Sequence, residues 1–296
     1  MNKGSNLVIL IFLGIAWSFF AIFTKIPAEV LSPFFVAFAR LFLGGAFLLL
    51  VCAIKGKNIF VAKNFKYYAM IGFFNSALPF CLFALSASHL DSGIVAILDG
   101  TVPMFEVLIS LFFLKNHVDK NSILGIFIGI VGIVITSLDA GVNLDLGAIQ
   151  IISIFAILLA TFCYAGASLY NGKKCKHIDS LSLATGSVTF AALLLLPSAF
   201  FVDFALIDFK VGGSLLGLGL ICTGIAYIFY FKLMAEESPR VAVSVVLLIP
   251  VFGVIFGAIF LDEAITFNKI IGGVMILISM KFILNLPFKK RVAPVV

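Results

Sequence analysis

With 296 residues, 62% of them hydrophobic and only 11% charged, the chain has too little polar surface to wrap a water-soluble core. Its mean hydropathy of +1.23 requires a bilayer as solvent. The net charge of +6 gathers in the loops of one side, where inner-leaflet lipid accounts for it, so nucleic acid is excluded as the partner it implies.

A hydrocarbon layer of about 30 Å is crossed by about 20 helical residues. Apolar runs of that kind fall at 7–25, 32–54, 67–88, 92–114 and 122–138, and again at 148–171, 180–202, 212–233, 240–261 and 267–286. The first could pass for a secretory signal because Lys3 precedes it. It is long, no small-residue cleavage site follows, and it is read as a retained helix.

The second set of five repeats the first. Pro103, Phe105, Val107, Phe113, Leu114, Asn121, Ile123 and Gly125 recur as Pro250, Phe252, Val254, Phe260, Leu261, Asn268, Ile270 and Gly272, all at one offset (250 − 103 = 147). The expected domains are residues 1–140 and 141–296. An odd number of spans per unit forces the second copy to enter from the opposite face. The expected fold class is therefore all-α and integral to the membrane, with ten transmembrane helices as two inverted five-helix repeats. Such symmetry suits alternating access, since exchanging the states of the halves reverses the opening.

Basic residues set the orientation. Lys55, Lys57, Lys63, Lys66, Lys115, Lys120, Lys173, Lys174, Lys176, Lys232, Arg240, Lys289, Lys290 and Arg291 fall on one side. Lys25, Lys210 and Lys269 fall on the other, with Asp91, Asp139, Asp145, Asp203, Asp208, Asp262 and Glu263. Both termini are predicted to be cytoplasmic, in the cell's inner (plasma) membrane. Within the spans, Pro103 and Pro250 sit at equivalent positions and are expected to act as hinges or cavity-lining kinks.

Trp17-Ser18, Lys25, Ser32-Pro33 and Ala39-Arg40, in that order and spacing, resemble the opening of the drug/metabolite transporter superfamily, in its branch of paired EamA-type domains. Thr101 to Leu114 and Leu248 to Glu263 are similar to the closing helix of each EamA unit. The resemblance covers nearly the whole chain. It implies a carrier of small organic metabolites with a cavity lined by the first four helices of each half, the fifth being scaffold. Members export amino acids, nucleobases and drugs, or import metabolites.

Ionisable residues inside spans cost a few kcal/mol unless they face protein or water, which marks them as candidates. Arg40 and Asp99 lie at equal depth, about 10–12 Å below the outer surface at 1.5 Å per residue. An ion pair between them is feasible, either as a structural tie or as an outer gate and carboxylate contact. Glu106, one turn past Pro103, is matched by Gly253 in the other half. A desolvated carboxylate there suits proton coupling, or else a structural hydrogen bond. Lys25 is expected to snorkel to water, with a gating role left open by the resemblance. Trp17, Asn75, Thr101, Tyr164, Tyr227 and Tyr230 are candidates for cavity walls and hydrogen bonds to a zwitterion or flat ring.

Gly125, Gly129 and Gly132, and Gly213 with Gly217, allow close helix packing within the chain, and Gly125 could also serve a dimer. Five cysteines and three histidines, including His117, give no disulfide framework and no ligand spacing, so no metal or cofactor is expected. No Walker A sequence and no H-E-x-x-H or G-x-S-x-G motif is present, which argues against ATP drive and against an enzyme. The expected function is a secondary-active carrier of amino acids or related compounds, export favoured, with proton coupling. A facilitative uniporter or exchanger, a multidrug efflux carrier and, less well supported, a lipid flippase are the alternatives. The partners expected are a small-molecule solute, protons and the lipid bilayer, in a monomer or homodimer.

Overall fold

The computed structural model describes residues 3–59, 61–115, 119–138, 148–236 and 244–284. The first half contributes α1 (Lys3–Ala28), α2 (Pro33–Ile54), α3 (Phe65–Ala87), α4 (Ser92–Phe112) and α5 (Lys120–Leu138). The second contributes α6 (Ala148–Lys174), α7 (Ser180–Phe201), α8 (Phe209–Tyr230), α9 (Leu248–Leu261) and α10 (Phe267–Leu284). No strand occurs among the described residues. Nine of these helices are long and apolar enough to cross a membrane; α9 is shorter, and positions 240–243 of its predicted span lie outside the described residues. So do His117, Asp139, Asp145, Arg240, Lys289, Lys290 and Arg291 from the charge and histidine readings. Large apolar side chains such as Phe42, Phe112, Phe127 and Phe155 point outward, where hydrocarbon takes the place of water.

Each half finds its main contacts in the other. α1 packs on α8 and α9, and its counterpart α6 packs on α3 and α4; α2 packs on α8 as α7 packs on α3. Three counterpart pairs meet directly: α2 with α7, α4 with α9, and α5 with α10. A relation that survives exchanging the halves is a pseudo-two-fold, as inverted repeats demand.

The α5–α10 contact displays that relation residue by residue. At the offset of 147, Gly125 corresponds to Gly272, Gly132 to Ser279 and Thr136 to Ile283. Gly125 abuts Ser279 and Ile283, while Gly272 abuts Gly132 and Thr136. A Cβ built on Gly125 would lie 3.0 Å from the Ser279 carbonyl oxygen, and one on Gly132 3.0 Å from that of Gly272. Backbones this close leave room only for hydrogen, which is why glycine stands there. The expectation that Gly125 could serve a dimer is thereby corrected, because its face is taken by α10 of the same chain. Gly217 similarly packs against the Phe23 ring, whereas Gly213 has open space around it.

Two further irregularities repeat at the same offset. α3 carries a π-helical turn at Phe73–Ala77 and α8 one at Gly217–Ile225, which spans the equivalent positions. Lys115 and Asp262, 147 apart, are the non-glycine residues with positive φ among the described residues, both at +53°. Asp262 is the C-cap of α9, and Lys115 stands three residues beyond the end of α4. A π turn shifts the hydrogen-bond register and frees backbone groups, so it persists where something else satisfies them. In α8 the Cys222 carbonyl accepts from Trp17 Nε1 at 3.0 Å, and the Thr223 hydroxyl donates to Leu218 O at 3.0 Å.

Candidate functional site

The bend expected at Pro103 is a complete break. α4 is two helices end to end, Ser92–Asp99 and Val102–Phe112, with Gly100 and Thr101 between them. Pro103 stands in the first turn of the second piece, where a missing N–H costs nothing. The same absence leaves the Asp99 carbonyl without the donor that a helix would supply four residues on. The Thr101 side chain is buried and braces the break: its hydroxyl lies 2.8 Å from Leu98 O and 3.1 Å from the Thr161 hydroxyl of α6. Pro250 also stands in a first turn, that of α9, behind the 3-10 turn Ser244–Leu247.

Around this break the helices assemble charge and aromatic rings. Arg40 of α2, 8% exposed, donates Nε–H to Thr223 Oγ1 at 3.1 Å, and its guanidinium carbon lies 3.6 Å from the centre of the Phe80 ring. Asp99, Tyr164, Cys222 and Tyr227 all lie within reach of its charge. No ion pair within 4.0 Å joins Arg40 to Asp99. The direct pair expected between them is not formed, because Thr223 and Phe80 fix the guanidinium. The Asp99 side chain is half-buried and makes no hydrogen bond among the described residues.

Tyr164 stands beside Phe83 and Phe80, with ring centres 5.7 and 6.5 Å apart. Trp17, its repeat counterpart, sits 5.2 Å from the Tyr230 ring. Tyr230 lies within electrostatic range of Glu106 and of Tyr227. The Ser168 hydroxyl of α6 faces the Glu106 carboxylate. A chain of polar groups thus runs from Arg40 and Asp99 through the tyrosines to Glu106. Asn75 lies in the π turn of α3, half-buried, and makes no hydrogen bond to this chain.

A second constellation closes the bundle at the end predicted to be external. Lys25 does not reach out to water: its Nζ donates to Glu263 Oε1 at 2.9 Å and lies 3.7 Å from Asp91 Oδ1, with its side chain 18% exposed. Burial replaces the expected snorkelling because a carboxylate is held within reach. Glu263 also accepts Ser92 N–H at 2.7 Å, the Ser92 hydroxyl at 3.0 Å and Gly93 N–H at 3.1 Å. Its carboxylate caps α4, where free N–H groups and the helix dipole favour an anion. Lys269 of α10, 2% exposed, donates to Asp91 Oδ2 at 2.6 Å and to Ala264 O at 2.7 Å. The left-handed turn at Asp262 aims Glu263 back at α4, and Gly257 leaves room for it. Sequence reading did not single out Asp91, Lys269 or Glu263; all three were visible only as loop charges, and their partners are far away in sequence.

Among the described residues, ten apolar helices in two halves that exchange partners, with one helix broken beside charged side chains, form the architecture of a membrane transport protein. The EamA-like transporter family matches residues 5–138 and again 151–285, and the chain belongs to that family. It is a transporter and not an enzyme. It is similar to the uncharacterized transporter YoaV of Bacillus subtilis (strain 168), 24% identical over 279 residues that cover 93% of this chain and 94% of that one. An uncharacterized transporter of Archaeoglobus fulgidus is 25% identical over 266 residues, covering 88% of this chain and 92% of that one. The uncharacterized transporter YvbV of Bacillus subtilis (strain 168) is 22% identical, covering 95% and 92%. One solved crystal structure shares the fold at a TM-score of 0.65 and 15% identity, over 95% of this chain and 96% of the other.

Proposed function

We propose that the protein is a secondary-active carrier that moves amino acids or related small organic compounds across the inner (plasma) membrane by alternating access, outward in the cell and coupled to protons. Residues 1–140 and 141–296 act as its two moving halves, with both termini cytoplasmic. The observation that carries this reading is the broken helix α4, which ends its first piece at a carboxylate, Asp99, that makes no ion pair within 4.0 Å and lies within electrostatic range of Arg40 and Tyr164. Charge left unpaired in a bilayer is costly and is kept where a solute or ion completes it. Glu106 is assigned the proton, being the carboxylate that one half has and the other, with Gly253, lacks. Pro103 and Pro250, each opening a helix segment, are assigned the flexing.

Flux into proteoliposomes under an imposed pH gradient tests this, with a panel of labelled amino acids and other metabolites. Wild type is expected to accumulate at least one solute uphill, and Glu106→Gln is expected to lose the uphill component while keeping downhill exchange. Equilibration without accumulation in wild type, unchanged by the variant, overturns the proton coupling. Absence of any saturable flux overturns the carrier itself.

A further inference from the structure

We propose that the cavity between the start of α2 and the end of α7 binds one phospholipid with an ethanolamine head group. Its tail fills the cavity and its head lies between Ser32 and Asp203, in the leaflet on the Lys25 side. The proposal goes beyond the carrier reading and does not depend on it.

The repeat shows what is unusual about this corner. At the other end of the bundle the N-terminus of α7 is filled: Asp179 accepts Ser182 N–H at 3.1 Å, and Lys57, just past α2, donates to Asp179 at 3.0 Å. Ile59, two residues further on, is 6% exposed. At the offset of 147, Asp179, Lys57 and Ile59 correspond to Ser32, Phe204 and Leu206. Ser32 makes no side-chain hydrogen bond to the helix it opens, Phe204 has no charge to offer it, and Leu206 is 45% exposed. One corner is tied shut and its counterpart is left open.

Pro197 accounts for the difference. It stands where the first half has Leu50, and a proline lacks the N–H and crowds the carbonyl four residues back. α7 accordingly leaves the α form after Leu195 and finishes as a tighter 3-10 turn, Leu196–Phe201. Beside that turn lies a cavity of about 470 Å³, lined among others by Leu31, Phe35, Leu195 and Val202. Sites that hold small molecules span about 300–1,000 Å³. Phe34 and Phe201 in its wall are exposed, as are Phe200 and Phe204 beside them, so the medium that meets the cavity is hydrocarbon. An apolar tail gains contacts there that water, without polar partners, does not.

The rim of the same cavity makes two opposite demands. On one side the N-terminus of α2 offers uncapped N–H groups and the positive end of a helix dipole, with the Ser32 hydroxyl unused among the described residues. A phosphate answers that side. On the other side stands Asp203, whose Oδ1 accepts Ala205 N–H at 3.0 Å and whose carboxylate makes no ion pair within 4.0 Å among the described residues. A primary ammonium answers it, with a positive charge and three donors. Phosphate and primary ammonium stand together in an ethanolamine head group. A glycerol head leaves the carboxylate without a cation, and a choline head brings the charge without the donors.

The test uses the full-length protein in vesicles of phosphatidylcholine and phosphatidylglycerol that carry a trace of phosphatidylethanolamine with a photoreactive diazirine in its tail. Cross-linked peptides are mapped by mass spectrometry. Labelling is expected to concentrate on residues 30–35 and 194–206, about two- to fivefold stronger than from the same tail on phosphatidylglycerol or phosphatidylcholine. Asp203→Asn is expected to remove the head-group preference while the tail still labels. Ser198→Phe, which puts a ring into the cavity, is expected to remove the labelling itself. The three lipids on wild type decide the matter even where a variant fails to fold. Labelling spread evenly over the lipid-facing helices overturns the site, and equal labelling by the three lipids overturns the ethanolamine assignment. Undiminished labelling in a folded Ser198→Phe puts the lipid outside the cavity and overturns the proposal as well. The carrier reading is judged separately, by solute flux across vesicles.

Discussion

Lys25 Nζ and Glu263 Oε1 lie 2.9 Å apart, joining the end of α1 to the turn after α9 across 238 residues. Glu263 simultaneously caps α4, so one carboxylate ties three helices from both halves at one end of the bundle. Neither partner has an ionic counterpart at the opposite end: at the offset of 147, Lys25 corresponds to Gly172 and Glu263 to Asn116.

Removing one member of that tie takes away the other's nearest ionic partner. Lys25→Met is expected to destabilise the protein by about 1–3 kcal/mol, and Glu263→Gln by a similar amount, the loss being tempered because Lys25 keeps Asp91 at 3.7 Å and Glu263 keeps its Ser92 and Gly93 donors. The double variant is expected to recover part of the loss, since both charges are then gone. Thermal unfolding in detergent measures it. Additive losses in the double variant would show that the pair does not interact.

The glycines of the α5–α10 contact give a sharper test. Gly272→Leu is expected to cost about 1–3 kcal/mol or to prevent folding, because Thr136 and the Gly132 backbone occupy the space. Gly213→Ala, where nothing lies within 4 Å, is expected to be neutral. Equal melting temperatures for Gly272→Leu and wild type would place this contact elsewhere.

Asp262 holds φ at +53°, a conformation that a β-branched residue resists. Asp262→Gly is expected to retain the fold and Asp262→Val to lose about 1–2 kcal/mol. The same pair of changes at Lys115 is expected to behave alike, again read from unfolding midpoints.

Asp179, outside the spans, caps α7 by accepting Ser182 N–H and the Ser182 hydroxyl, each at 3.1 Å, and it meets Lys57 at 3.0 Å. Partial burial works to raise its pKa, but Lys57 and the Ser182 donors outweigh that and hold it below the usual carboxylate value. A depressed folded-state pKa gives stability that is complete above the unfolded value and is lost as pH falls through the folded one. Unfolding followed below the ordinary carboxylate range is therefore expected to show an acid-side loss in wild type that Asp179→Asn lacks. Asp179→Ala is expected to cost about 1 kcal/mol at neutral pH through the missing cap. An identical acid limb in Asp179→Asn would contradict this.

The spans, the repeat and the interruption at Pro103 were legible in the sequence because hydrophobic length, a fixed offset and a missing N–H act locally. The π turn of α8 left a trace in Gly217, Gly219 and Gly224; that of α3 left none. An ion pair of Arg40 with Asp99 was expected from their positions along their helices, but position along a helix does not fix direction around it, and Thr223 and Phe80 decided it. Lys25 was read as an interfacial lysine because Glu263 reaches it only through a left-handed turn that no local pattern announces.

The exchange of partners between halves bears on how the protein is made. Trp17 Nε1 waits for a carbonyl 205 residues downstream, and α1 packs on α8 and α9. During synthesis the first five helices enter the bilayer with those faces uncovered, and only lipid or a membrane chaperone can shield them until α9 arrives. A ribosome stalled between the halves would therefore leave a membrane intermediate open to quality-control proteolysis, although every helix in it was already inserted.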